Sequence, residues 1–294
     1  MKVCTIAIIG RPNVGKSTLL NKLIDYDLAI VTNVAQTTRD QIKGIYSDSK
    51  YQLIFTDTPG IHKAPSIFNE RLNTAALNAL DDADLILFLQ PANEEIWRGD
   101  KFIIEKLKSY KNKIAVITKM DLSNREDAGI RANELKALGF QSVLGVGMNY
   151  DSTYTDLLNL IKHEYADKND DSEPLYDPDY YTDVSMRFMV KETIREVAIL
   201  NLREELPHSI AVTVDEFTEP GEGMPFTIKA TIHVKRESQK GILVGTKGSM
   251  IKKISMNARQ KLMAQFDNKI HLEVRVKVNK NWVDNPEQLK WLGY

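Results

Sequence analysis

Cysteine is almost missing from this chain. Its 294 residues include one, Cys4, so no intramolecular disulfide can form and a reducing compartment is expected. No run of about 18 apolar residues occurs, so no membrane-spanning helix is expected. The apolar stretch at the N-terminus, MKVCTIAIIG, runs straight into a glycine loop and carries no small-residue cleavage site. It is predicted to be a first β-strand and not a signal peptide. There is no internal repeat. His208, His233 and His271 show no metal-ligand spacing. A large net charge is absent as well, since 39 Lys/Arg stand against 40 Asp/Glu.

That balance hides an asymmetry. Residues 1–184 hold 21 basic and 27 acidic side chains, and residues 185–294 hold 18 and 13. The basic excess is densest over residues 229–280, with 13 basic and 3 acidic side chains. An acidic half joined to a basic half points to one half meeting a polyanion. With 43% hydrophobic and 27% charged residues, the composition is that of a globular chain of two ordinary domains.

Residues 3–9 read as a strand and Lys16–Ile24 as a helix. Ile42–Tyr46 and Tyr51–Phe55 are predicted to pair as strands. Phe68–Leu80, Lys101–Ser109, Glu126–Leu138 and Tyr154–Tyr165 have helical spacing, and Leu85–Leu89, Ile114–Ile117 and Ser142–Val146 are short strands. This alternation indicates βαβ units and a mainly parallel α/β sheet with helices on both faces. It stops at the acidic, polar stretch Asp167–Pro174, which reads as a linker. The expected organisation is a domain over 1–167, a linker over 168–184 and a second domain over 185–294. In the second domain Met186–Glu205 reads as a helix and Ser209–Glu216 and Thr227–Glu237 as strands. A possible short helix precedes a glycine loop at 245–248. A helix over Met250–Phe266 and a strand over Ile270–Val278 follow. The Met186, Met189, Ile194 and Val197 spacing is that of a helix core face, and Trp97, Trp282 and Trp291 are expected to be packing residues.

Gly10-Arg11-Pro12-Asn13-Val14-Gly15-Lys16-Ser17 matches G-x-x-x-x-G-K-S between a strand and a helix, the context a phosphate-binding loop requires. Its backbone N–H groups, from Gly10 through Asn13, Val14 and Gly15 to Ser17 and Thr18, are expected to face phosphates at a helix N-terminus. Lys16 should reach the β- and γ-phosphates, and Ser17 should bind Mg2+. Asp57-Thr58-Pro59-Gly60 follows a strand. Asp57 is placed to hold Mg2+ through water, and Gly60 to offer its N–H to the γ-phosphate. Between these motifs lies Gln36-Thr37-Thr38-Arg39-Asp40. A threonine there, Thr38 in preference to Thr37, would complete the metal set and act in catalysis with Lys16. Thr118-Lys119-Met120-Asp121 follows a buried strand. A carboxylate at Asp121 can accept from guanine N1–H and its amino group, which adenine cannot match, and the Lys119 stem can cover the base. These residues predict GTP or GDP as the ligand.

Gly245-Thr246-Lys247-Gly248 is a G-x-x-G loop entering a helix, flanked by Lys240, Lys252 and Lys253. Such a loop clamps the backbone of about four nucleotides in KH domains. Ile242, Val244, Ile251 and Ile254 are candidates for an apolar floor under the bases.

The ordered set of nucleotide motifs resembles that of translation-factor-type GTPases, and GRPNVGKST with QTTRD and DTPG is similar to the Era subgroup. The helix-strand-strand-helix-strand order of the second half looks like a type II KH domain. Arg236–Gly241 and the ending Trp291-Leu292-Gly293-Tyr294 carry the likeness across nearly the whole chain. The resemblance implies binding to the 3′ end of small-subunit ribosomal RNA and action in assembly of the small ribosomal subunit. It also implies a cytoplasmic location, with peripheral contact to a membrane as a further expectation. It implies low unaided turnover too, since Ile61 stands where many GTPases carry a water-orienting glutamine. His62 follows, where a lone histidine is expected at the surface. Asn13 matches an asparagine that binds K+ in related GTPases. Two departures point towards weaker guanine affinity: Thr118 stands in place of asparagine, and Gly147-Met148 in place of Ser-Ala. An RNA-binding scaffold with a weakened GTPase site, an ATP-using P-loop enzyme and a single-stranded-DNA binder are the other readings the residues allow.

Overall fold

The computed structural model describes residues 1–34, 37–61, 66–221, 223–280 and 282–294. The chain divides into two compact units. The first is built mainly from Met1–Ala29, the strand pair that follows and Asn69–Asp183, and the second mainly from Val184–Tyr294.

In the first unit the elements run β1 (Lys2–Ile9), α1 (Lys16–Ile24), β2 (Ile42–Ser47), β3 (Tyr51–Asp57), α2 (Ile67–Asp81), β4 (Leu85–Pro91) and α3 (Arg98–Lys106). They continue with β5 (Lys113–Thr118), α4 (Arg125–Ala137), β6 (Ser142–Gly145) and α5 (Asp151–Glu164). The sheet has six strands in the order β2-β3-β1-β4-β5-β6. All neighbours are parallel except the β2–β3 hairpin. Near-continuous apolar runs such as Leu85–Leu89 suit parallel strands covered on both faces. Ala7, Ile9, Ile86, Phe88, Ala115 and Ile117 meet Ala76 and Leu80 of α2, Ile103 and Ile104 of α3, and Leu135 of α4 in one core layer. On β2, Gly44 leaves room for α1: a Cβ there would stand 2.6 Å from Leu20 Cδ1, and the Leu20 and Ile24 side chains would have to shift. Cys4 is buried and free.

The acidic segment after α5 packs against this unit through its backbone. Ser172 N–H donates to Met1 O, Lys2 Nζ to Asn169 O at 2.6 Å, and Asn169 Nδ2 to Val3 O at 2.7 Å. The fully buried Gln52 clamps it further on. Gln52 Oε1 accepts from the Leu175 and Tyr176 amides, and its Nε2 donates to Tyr176 O. Ile45 N–H donates to Tyr181 O, Thr182 Oγ1 donates to Lys43 O, and Tyr181 stacks on Tyr26. The segment therefore covers the free edge of β2, which would otherwise be an unpaired template.

The second unit contains α6 (Met186–Asn201), β7 (Ala211–Thr218), β8 (Phe226–Val234), α7 (Glu237–Val244), α8 (Ser249–Phe266), β9 (Ile270–Val278) and α9 (Pro286–Trp291). Its sheet runs β7-β8-β9, antiparallel then parallel. Ile194, Val197 and Ala198 of α6 join Ile228, Ala230 and Ile232 of β8 and Ile254, Ala258 and Leu262 of α8 in its core. Met186 packs at the edge of that core, in keeping with the core-face reading. α6 stops at Asn201, short of the expected Glu205, where Asn201 Nδ2 turns back to the Val197 carbonyl and the backbone of Leu202 becomes extended. β8 stops at Val234 because Glu237 starts α7, with Gln239 Oε1 accepting from Lys235 N–H.

Candidate functional site

The loop between β1 and α1 turns on two positive-φ residues, Asn13 (φ 61°) and Gly15 (φ 100°). No side chain caps α1, so its first N–H groups stay available to an anion. Lys16 is 6% exposed, and its ammonium donates to Gly10 O (3.2 Å) and Arg11 O (2.8 Å). Burial lowers its pKa to about 8, against the raising influence of Asp57. Gly60 backs against the same loop. A Cβ there would sit 2.6 Å from Pro12 N, so no larger residue fits.

Asp57 ends β3 with no exposed surface. Its Oδ2 accepts from Ser17 Oγ at 2.6 Å and from Thr38 Oγ1 at 3.4 Å, and the two hydroxyls lie 2.9 Å apart. Its Oδ1 is buried and has no hydrogen-bond partner among the described residues. Burial raises the Asp57 pKa to about 6, with Lys16 and the two hydroxyls pulling it down. Two hydroxyls and a carboxylate with an orphaned oxygen form a hard-oxygen donor set that fits Mg2+. The three residues come from three separate stretches of sequence, and the fold brings them together as their order suggested. Among the described residues no group of three or more His, Cys, Asp or Glu side chains offers an alternative metal site. Ile61 is buried in the core, and His62 lies outside the described residues.

At the end of β5, Thr118 Oγ1 donates to Val14 O at 2.6 Å. Thr118 thus ties the base motif to the phosphate loop and keeps no hydroxyl proton for a base. Lys119 takes a left-handed φ of 57°. Met148 N–H donates to Asp121 Oδ1 at 2.9 Å. Gly147 lies close beside it: a Cβ there would stand 2.8 Å from the half-exposed Tyr150 ring and 3.1 Å from Asp121 N. The Gly147-Met148 departure therefore keeps a backbone donor that orients the Asp121 carboxylate. Side-chain identities alone could not reveal that. The sequence reading also missed an acidic pair around Arg11: Nε donates to Asp100 Oδ1 at 2.6 Å and Nη2 to Glu94 Oε2 at 2.9 Å.

In the second unit Gly245 (φ 74°) and Gly248 (φ 79°) flank Thr246 and Lys247, and Gly248 begins α8 without a side-chain cap. A Cβ at Gly245 would lie 2.8 Å from Met250 N, so the turn is closed to larger residues. Thr246, Lys247, Lys252 and Lys253 are exposed, and Lys240 is half-buried on α7. The expected apolar floor needs correction. Ile254 is fully buried in the core and is not part of such a floor, whereas Ile242 is 60% exposed and stays available to it. Trp282 is buried as expected, but Trp97 and Trp291 are 61% and 59% exposed and are not core residues.

Residues 5–119 match the family described as 50S ribosome-binding GTPase, and residues 205–283 match the KH domain family. Two curated relatives, each called GTPase Era, match end to end. The one from Mycoplasmopsis agalactiae is 52% identical over 295 residues and covers 100% of both chains. That from Mycoplasmopsis pulmonis is 49% identical and covers 99% of both. Among solved structures, a point variant of Aquifex aeolicus Era bound to GDP·AlF4− superposes with a TM-score of 0.91 at 33% identity. Era in complex with MgGDPNP and nucleotides 1506–1542 of 16S ribosomal RNA also gives 0.91, at 34% identity. Each covers 100% of this chain and 99% of its own. With this likeness over its full length, two glycine loops at helix N-termini and a hydroxyl–carboxylate cluster beside the first, the chain belongs to the Era family of GTPases.

Proposed function

We propose that this chain is a Mg2+-dependent GTP-hydrolysing switch whose KH domain binds the 3′ end of small-subunit ribosomal RNA during assembly of the small ribosomal subunit. The observation that carries the reading is the Ser17–Thr38–Asp57 cluster beside the uncapped N-terminus of α1. Ser17, Thr38 and Asp57 would hold Mg2+, which would supply positive charge to offset the negative charge that develops on phosphoryl transfer. The amides of Gly10 and Asn13–Thr18 cradle the phosphates, and Gly60 offers its N–H to the γ-phosphate. Lys16, already desolvated, sets its ammonium against the triphosphate and stabilises in-line attack by water. Thr118, Lys119 and Asp121 form the base site. Asn13 is the candidate ligand for a K+ ion that would add positive charge where Ile61 cannot orient water. Lys240, Gly245, Thr246, Lys247, Gly248, Lys252 and Lys253 contact RNA. The functional boundaries are a GTPase domain over 1–167, a connecting segment over 168–184 and a KH domain over 185–294. Among the described residues no helix is long and apolar enough to cross a membrane. A cytoplasmic place of action, with at most peripheral membrane contact, accords with a ribosomal partner.

One observation favours a second reading, a scaffold with a weakened GTPase site: the Thr118 hydroxyl proton is committed to Val14 O and is not available to the base. Two measurements separate the readings: GTP turnover with Mg2+, in K+ and in Na+ at matched ionic strength, and titration of an oligonucleotide copying the 3′ end of small-subunit rRNA. The switch reading expects Mg2+-dependent turnover, faster in K+, together with saturable RNA binding. RNA binding without any GTP turnover would leave the scaffold. Failure to bind the oligonucleotide would remove the ribosomal target.

A further inference from the structure

Four charged side chains of the first unit alternate in sign across three segments that are far apart in sequence. Asp100, at the start of α3, is fully buried. Its Oδ1 accepts from Arg11 Nε at 2.6 Å, and its Oδ2 accepts from Trp97 N–H at 2.9 Å. The other end of the Arg11 guanidinium meets Glu94 Oε2 at 2.9 Å. The second oxygen of the same carboxylate, Glu94 Oε1, stands 3.5 Å from Lys119 Nζ. Glu94 therefore touches the phosphate loop with one oxygen and the base motif with the other.

The loop that carries Glu94 is itself fixed. Gln90 is fully buried at the end of β4, and its Nε2 donates to Glu94 O at 3.1 Å and Glu95 O at 3.3 Å. Gly99 brings α3 so close that a Cβ there would lie 3.0 Å from Arg11 Cδ. A carboxylate on a held backbone, next to an arginine held from its far side, is preorganised before any ligand arrives. Lys119 is the opposite case: a long side chain with much rotamer freedom, whose stem must lie flat over the base to be useful.

We propose that Glu94 is a positioning residue for guanine-nucleotide binding, anchoring the Lys119 ammonium so that its stem covers the base while locking Arg11 against the phosphate loop. Asp100 and Gln90 hold this bridge in place. The inference rests on the GTPase reading of the same site and deepens it. The Glu94 carboxylate bonds to Arg11 and Lys119 and to none of Ser17, Thr38 and Asp57, so its contribution falls equally on GDP and GTP. It acts on how long the nucleotide stays and not on the γ-phosphate.

The test is the affinity and dissociation rate of mant-GDP and mant-GTP on the full chain, for wild type, E94Q, E94D, K119M and E94Q/K119M, with melting temperatures alongside. Wild-type binding of guanine over adenine nucleotides is the control, and its failure would defeat the GTPase reading itself. With the control met, E94Q is expected to weaken both nucleotides about fivefold through faster dissociation. E94D should recover part of the loss. In the K119M background E94Q should have little further effect, because the group it anchors is gone. A merely structural role for Glu94 would lower the melting temperature and add to K119M in full. Unchanged affinity in E94Q, a loss confined to GTP, or full additivity with K119M would each overturn the proposal.

Discussion

The chain contains two glycine turns that deliver a lysine-bearing backbone to the start of a helix. Gly15 (φ 100°) precedes α1, and Gly248 (φ 79°) precedes α8. Neither helix has a side-chain cap, so both expose free N–H groups to an anion. They differ in depth. Lys16 is buried, bonded to two loop carbonyls and adjacent to a buried carboxylate, whereas Lys247, Lys252 and Lys253 stand in solvent. A desolvated lysine in a closed nest suits one compact anion whose charge is poorly screened. Exposed lysines around an open turn suit a polyanion whose phosphates are spread along a chain and screened by salt. The same local device thus serves two kinds of ligand, and burial decides which.

The comparison can be broken in several places. The largest effect is expected at the deep loop, where Lys16→Ala should lower GTP turnover by at least about 100-fold, with RNA affinity unchanged. A substantially active variant would remove Lys16 from catalysis. At the open loop, Thr246→Asp with Lys247→Asp places negative charge against the RNA backbone. RNA affinity should fall about 30-fold and GDP affinity should hold, both read by fluorescence titration. Raising salt from about 50 to 200 mM should cost RNA affinity more than about tenfold, while nucleotide affinity changes by about twofold or less. Equal salt sensitivity would mean that the two loops do not differ as their burial suggests.

A fourth outcome concerns Asp57 alone. Its pKa is raised to about 6 by burial. Mg2+ requires the ionised carboxylate, so below that value the cation must displace a proton. Apparent Mg2+ affinity should therefore hold above about pH 7 and fall about tenfold between pH 7 and pH 5. A flat profile across that window would show that Asp57 is ionised throughout.

Both glycine loops were legible in the sequence because each is a contiguous string with its strand or helix beside it. The Mg2+ set was legible in its parts because Ser17, Thr38 and Asp57 each sit in a recognisable local motif, although only the fold places their oxygens within 3.4 Å of one another. The Glu94–Arg11–Lys119 bridge was not legible, since its members belong to loops joined by no spacing rule and meet only when β1, β4 and β5 align. Met148 was hidden for another reason. It supplies a backbone N–H to Asp121, and a main-chain donor leaves no mark in the side-chain alphabet. The course of residues 169–182 against the first unit was hidden as well, because an acidic, polar composition looks the same whether or not a buried Gln52 grips its backbone.

The most direct test of the deep site is competition for a bound fluorescent GTP analogue in Mg2+, with GDP and ATP as competitors. GDP should displace the analogue and a roughly hundredfold excess of ATP should not (on the order of the discrimination a paired carboxylate provides), and Asp121→Ala should abolish the difference. Displacement by ATP as readily as by GDP, with wild-type protein, would contradict the account.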